Sequence, residues 1–214
     1  MTIRRKYFKR LSYLVVLIGS GLAHAGSYDD FFSAIERDDP GSIAALLKRG
    51  FDANSRNPDG QTGLFLAMRA ESLRAAEALL DGPSLEVNAV NDAGESALMM
   101  AALRGQLDWT RKLLDRGAQV NKDGWSPLHY AATGPEPKVL QLLLQRGASI
   151  DAASPNRTTP LMMAAQYGSE AAVDMLLARG ADPRLGNDQK LRAADFARLG
   201  GRDKLAARLE KLAP

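Results

Sequence analysis

The sequence predicts an all-α repeat solenoid: stacked helix pairs joined by short hairpin-like finger loops. Three observations carry this. A leucine-centred motif recurs at close to 33-residue steps, its leucine at Leu64, Leu98, Leu128 and Leu161, with Ala194 in its place last. A second motif closes each unit, in Leu46–Gly50, Leu113–Ala118, Leu143–Ala148 and Leu176–Asp182, each carrying Leu-Leu-x-Arg-Gly. Turn formers lie between the units, in Asn57-Pro58-Asp59-Gly60, Asn91-Asp92-Ala93-Gly94, Asp123-Gly124 and Pro155-Asn156. A fixed period of this kind means that one structural unit cannot bury its apolar face alone and must stack on its neighbours.

The first helix of each unit starts at a hydroxyl: Thr62, Ser96, Ser126 or Thr159. Such a hydroxyl can accept a bond from a first-turn amide, worth about 1 kcal/mol. Pro127 and Pro160 follow, where a missing N–H costs nothing. Gly63 stands where those units have proline and is expected to weaken its helix start. An apolar stripe with small alanines then runs at helical spacing, as in Leu128, Ala131 and Ala132. Gly105 and Gly168 interrupt the chain before a second helix, which carries Val139, Leu140, Leu142 and Leu143 in one unit and Val173, Met175, Leu176 and Leu177 in another. Gly50, Gly117, Gly147 and Gly180 end it. Arg49, Arg116, Arg146 and Arg179, one residue earlier, complement the negative end of the helix dipole.

Six helix pairs follow, near 28–49, 61–81, 95–116, 125–146, 158–179 and 191–212. The first and last are expected to be caps, the last with Arg202, Lys204, Arg208, Glu210 and Lys211 on a polar outer face. The third finger is clipped: two residues separate Asn121 from Gly124, where other units have five. It should leave a notch.

The N-terminus reads as an address. Residues 1–10 hold Arg4, Arg5, Lys6, Lys9 and Arg10 and no acid; an apolar run of about 12 residues follows to Leu22, then Ala23-His24-Ala25. A basic head, a short apolar run and a small-x-small end form a secretory signal with cleavage expected after Ala25. A membrane-spanning helix needs roughly 20 apolar residues. Domains are therefore expected at 1–25 (signal peptide) and 26–214 (one repeat domain). The destination is a periplasm or the cell exterior, by the general or the twin-arginine route.

Composition narrows function. The chain of 214 residues is 45% hydrophobic and 25% charged, globular proportions. There is no Cys and there are two His, which leaves no thiolate metal site, no cysteine nucleophile and little room for a histidine-based one. The net charge of +3 belongs to the leader: without its five basic residues the remainder has 23 basic and 25 acidic side chains. A nucleic-acid face is not expected. No phosphate-cradling glycine loop is present, so neither metal nor cofactor is expected, and no enzyme.

The paired motifs, Ser126-Pro127-Leu128-His129 above all, resemble the ankyrin repeat family over roughly residues 28–212. The resemblance implies fingers projecting at right angles to the helices and a concave groove that binds protein. It gives His129 a structural role, tying backbone groups of adjacent units. Phe65, Met99 and Met162 hold the equivalent place, so that chemistry is not expected to repeat. Trp109 is expected in the core; Trp125 faces the groove, either stacked or as an anchor. Carried over by position, the partner-binding slots are Arg56, Asp59, Gln61 and Arg69; then Asp92, Glu95, Leu103 and Arg104; then Trp125 and Thr133; and Asn156, Thr158, Gln166 and Tyr167. The expectation is an exported, monomeric, non-catalytic module that grips one protein partner. Alternatives are an inhibitor or immunity protein for an envelope toxin enzyme, and an accessory factor for a periplasmic oxidative-stress enzyme such as catalase.

Overall fold

The computed structural model describes residues 23–213, with side chains from Gly26 onward. The expected export signal lies outside them, apart from the backbone of Ala23–Ala25. Six helix pairs follow in chain order, among the described residues: α1 (Ala23–Glu36) with α2 (Pro40–Lys48), α3 (Gly63–Ala70) with α4 (Leu73–Leu80), α5 (Ala97–Leu103) with α6 (Leu107–Asp115), α7 (Pro127–Thr133) with α8 (Pro137–Gln145), α9 (Pro160–Tyr167) with α10 (Glu170–Ala178), and α11 (Ala193–Leu199) with α12 (Asp203–Leu212). These are the six pairs the repeat predicts.

The expected caps start three of the odd helices. Thr62 accepts from Phe65 N–H at 3.3 Å, Ser96 from Met99 N–H at 3.3 Å, and Thr159 from Met162 N–H at 3.4 Å. Ser126 differs: its hydroxyl makes no cap bond to an amide and lies 2.9 Å from His129 Nδ1. In α11 the Asp195 carboxylate accepts Arg192 N–H at 2.8 Å instead.

From α3 onward, odd helices pack on odd helices far more extensively than even on even. The cause is side-chain size: Ala67, Ala101, Ala102, Ala131, Ala132, Ala164, Ala165 and Ala197 are all buried at these contacts. The tighter row must be the inner one, so the stack curves toward the odd helices. Leucines from both rows fill one continuous core that runs from Phe31 to Leu209.

Units are also tied through the backbone. Asn88 donates to Gly117 O (3.0 Å) and accepts from Gln119 N–H (2.8 Å); Asn121 does the same to Gly147 O and Ser149 N–H (both 2.8 Å). Asn54 donates to Ser84 O (2.9 Å) and accepts from Glu86 N–H (2.8 Å). In the last step Asp151 can only accept, from Asp182 N–H at 3.1 Å.

Ser84 takes the left-handed conformation (φ 58°) that Gly50, Gly117, Gly147 and Gly180 take elsewhere. Two local expectations change. Two of the arginines before the closing glycines also reach to the preceding unit: Arg116 donates to Leu80 O (2.6 Å) and pairs with Asp81 (3.7 Å), and Arg146 pairs with Asp115 (2.9 Å). In the C-terminal cap Arg202 also turns inward, donating to the carbonyls of Ala164, Ala165 and Gly168, and Arg208 pairs with Asp174 at 2.7 Å. Lys204, Glu210 and Lys211 remain exposed.

Candidate protein-binding surface

Antiparallel bridges shape three fingers, at Arg56–Thr62, Val90–Ser96 and Gly186–Arg192. The side chains at their bases are largely committed to holding them. Arg56 donates to Gly60 O at 2.8 Å and, across to the next finger, to Val90 O at 2.6 Å. Gln61 Oε1 accepts from Asn57 at 3.1 Å. Glu95 accepts from Asn91 and from the Tyr130 hydroxyl of the next unit, both at 2.8 Å. Burial, reinforced by that carboxylate, pushes the Tyr130 phenol far up. Thus Arg56 braces the neighbouring finger and Glu95 ties its own finger to α7 of the next unit. Asp59 and Asp92 are exposed at the tips.

The fourth finger holds Asn156 exposed; its side chain accepts from Ser154 Oγ at 2.6 Å and its carbonyl from Asp188 N–H at 3.1 Å. Thr158 leaves the expected set: it is 2% exposed, turned inward by its N–H bond to Ser154 Oγ, so its side chain cannot anchor a partner.

The inner helices contribute through their C-terminal ends. Arg69 is exposed, its guanidinium over the Phe65 ring at 5.7 Å. Leu103 is 37% exposed and Arg104 beside it pairs with Glu71 at 3.8 Å. Thr133 is half-buried and donates to Tyr130 O at 3.0 Å. Gln166 is half-buried and Tyr167 is 63% exposed. Leu199 is 64% exposed at the same place in α11, which the cap reading of that unit overlooked. Aligning the worn copy through to its helix end would have found it.

Trp125 is half-buried and meets the His129 ring edge-on at 5.2 Å. His129 itself is fully buried. Its Nδ1 accepts Ser126 N–H (3.1 Å), which leaves Nε2–H to donate to Thr158 O of the next unit (2.9 Å). Burial holds its pKa below the ordinary histidine value. Half of this chemistry does repeat: the thioethers of Met99 and Met162 accept the N–H of Ser96 and Thr159, each at 3.4 Å. Trp109 lies in the core with Lys112 Nζ over its ring at 4.8 Å.

A surface trough of about 700 Å³ lies along Gln119, Val120, Asn121, Lys122 and Asp123, at the clipped third finger. It is open to solvent, with Val120 among four polar residues. Among the described residues no three His, Asp or Glu side chains come together as a metal site, and no helix is long and apolar enough to cross a membrane.

The family model of ankyrin repeats (three copies) matches residues 31–123 and 119–187. Neurogenic locus notch homolog protein 4 of Homo sapiens is 34% identical over 148 residues, 61% of this chain and 7% of that protein. Transient receptor potential cation channel subfamily A member 1 of Homo sapiens is 27% identical over 159 residues, 69% of this chain and 14% of that protein. The chain therefore spans only a small part of these curated relatives. Among solved structures, the complex of the predatory endopeptidase Bd0816 from Bdellovibrio bacteriovorus with the immunity protein Bd3460 contains a similar chain. The match has a TM-score of 0.72 and 27% identity, and covers 85% of this chain and 97% of that one.

Proposed function

The chain belongs to the ankyrin repeat family, and from that premise we propose that it is a non-catalytic module, exported to the periplasm, that binds a protein partner through the inner face of the stack. The supporting observation is the row of side chains along that face. Arg69, Leu103, Thr133 and Gln166 stand at equivalent helix ends in four successive units, with Tyr167 beside the last, in positions that the core does not require. A stack already ordered by its own core presents such anchors at little further entropic cost. Export rests on the basic head, apolar run and Ala-x-Ala end of residues 1–25. Replacing Trp125, Gln166 and Tyr167 together by alanine is expected to abolish capture of a partner crosslinked in the periplasm while the helical circular dichroism stays unchanged. Undiminished capture rejects the groove.

A second reading names the kind of partner. The similar solved chain comes from a complex of an endopeptidase with an immunity protein, and the match covers nearly all of it. This favours an inhibitor that restrains an envelope hydrolase. An equimolar amount of the purified chain is then expected to silence an endopeptidase encoded beside it. Full hydrolysis in that mixture, with capture of some other protein intact, removes the inhibitor reading and leaves the binding module.

A further inference from the structure

The bond after Ala25, where the sequence places the signal cleavage, falls inside a helix. Among the described residues α1 runs from Ala23 to Glu36, so the junction between Ala25 and Gly26 lies in helical backbone. In a helix each carbonyl is engaged by an N–H four residues on. A carbonyl held in that way cannot turn into the oxyanion hole of a peptidase. The chain around the junction must first be drawn out.

How far it can be drawn out depends on where the stack takes hold of α1. Tyr28, the third residue beyond the junction, is already half-buried. Its hydroxyl donates to Arg56 O at 2.6 Å, and its ring meets that of Phe32 edge-on at 4.9 Å. Phe31 is fully buried, with the Phe51 ring at 4.7 Å. The first unit and the first finger therefore grip the residues that a peptidase would need in extended form. The sequence also suits the shorter helix that cutting leaves. Its first residues would be Gly26-Ser27-Tyr28-Asp29-Asp30. The exposed Asp29 and Asp30 then stand in the first turn, where carboxylates favour the helix dipole and offset the new amino group.

We propose that folding closes the processing site: the bond after Ala25 is cut while α1 is undocked, and the docked first unit protects it. The proposal rests on the export reading above and adds an order of events, cutting first and docking second. Cleavage of a protected bond follows the population of the opened state. Here opening means giving up the contacts of Tyr28 and Phe31. A precursor that folds before it is cut keeps its leader.

The test uses the full precursor and purified signal peptidase in mild detergent. One sample is diluted from urea straight into the peptidase; the other folds first. The diluted chain is expected to be cut faster by about tenfold or more, since it has no hydrogen bond or ring contacts to break. Mass spectrometry places the new end at Gly26. Tyr28→Phe removes the hydroxyl bond and keeps the ring, and it speeds cutting of the folded chain by about fivefold. Phe31→Ala speeds it further. Neither variant changes the rate for the diluted chain. Equal rates for the folded and diluted native precursor overturn the proposal and leave the export reading standing. Protection that Tyr28→Phe does not relieve overturns it too. If neither sample is cut before Gly26, the export reading falls and the proposal falls with it.

Discussion

His129 and Asp151 show how single residues set the joints between units. His129 is neutral in the folded state because both ring nitrogens are engaged and water is excluded. Its folded pKa is lowered, so the unfolded chain binds the extra proton first. Stability is therefore full above the ordinary histidine value of about 6.5 and falls as pH drops below it, until the folded pKa is reached. His129→Met keeps the acceptor for Ser126 N–H, as Met99 and Met162 do, but cannot titrate. Urea midpoints at about pH 7.5 and about pH 5 are expected to differ for the native chain and to converge in the variant; an unchanged difference refutes this. Asp151 presents the opposite sign. Burial raises its pKa, so its contribution worsens as pH rises through the folded value. Asp151→Asn would place an amide where Asn88 and Asn121 already bridge two units. A gain of about 1 kcal/mol is expected near neutral pH, from one restored donor. A lower urea midpoint there would reject the ladder as the reason for the asparagines.

At the level of the helix, local consensus and packing disagree in one place. Gly63 reads as a missing proline and hence as a weak start. In the fold a Cβ at that position would lie 2.9 Å from the Phe31 ring and 3.0 Å from Ile35 Cδ1. The glycine makes room for the N-terminal cap unit, whose Phe31 is fully buried. Gly63→Pro is therefore expected to destabilise by about 1–3 kcal/mol through overpacking, although it restores the repeat's own pattern. Combining it with Phe31→Leu should recover part of the loss. A raised melting temperature in the single variant would show that the helix start, not Phe31, decides. The helix-ending arginines teach the same lesson. Their position beside the closing glycine is legible, but Arg116 and Arg146 spend their charge on the preceding unit. These are exposed pairs, each worth about 0–1 kcal/mol.

Over the whole molecule, each inner unit is stabilised by two neighbours and each end unit by one. Leu128 and Leu209 are both fully buried, yet their loss should differ in kind. Leu128→Ala is expected to cost about 2–5 kcal/mol and to lower the midpoint of the main urea transition. Leu209→Ala should instead let α12 open locally, seen as fast amide exchange confined to the last unit. Equal loss of protection throughout both variants would mean that the stack unfolds as a single block. The period, the caps and the pairing of helices were all readable from the chain, because they follow from spacing and from residues acting on their nearest neighbours in sequence. The exposed tips Asp59 and Asp92 and the exposed Tyr167 could be placed by position alone. Three-dimensional packing decided which remaining candidates are free. Arg56 and Glu95 turned out to be braces, Thr158 went inside, and Leu199 emerged on the edge. For Arg56 and Glu95 the reason is that their partners, Val90 and Tyr130, lie about one repeat away, and only stacking brings such distant positions to within a hydrogen bond of each other; the burial of Thr158 and the exposure of Leu199 likewise follow from how the units pack.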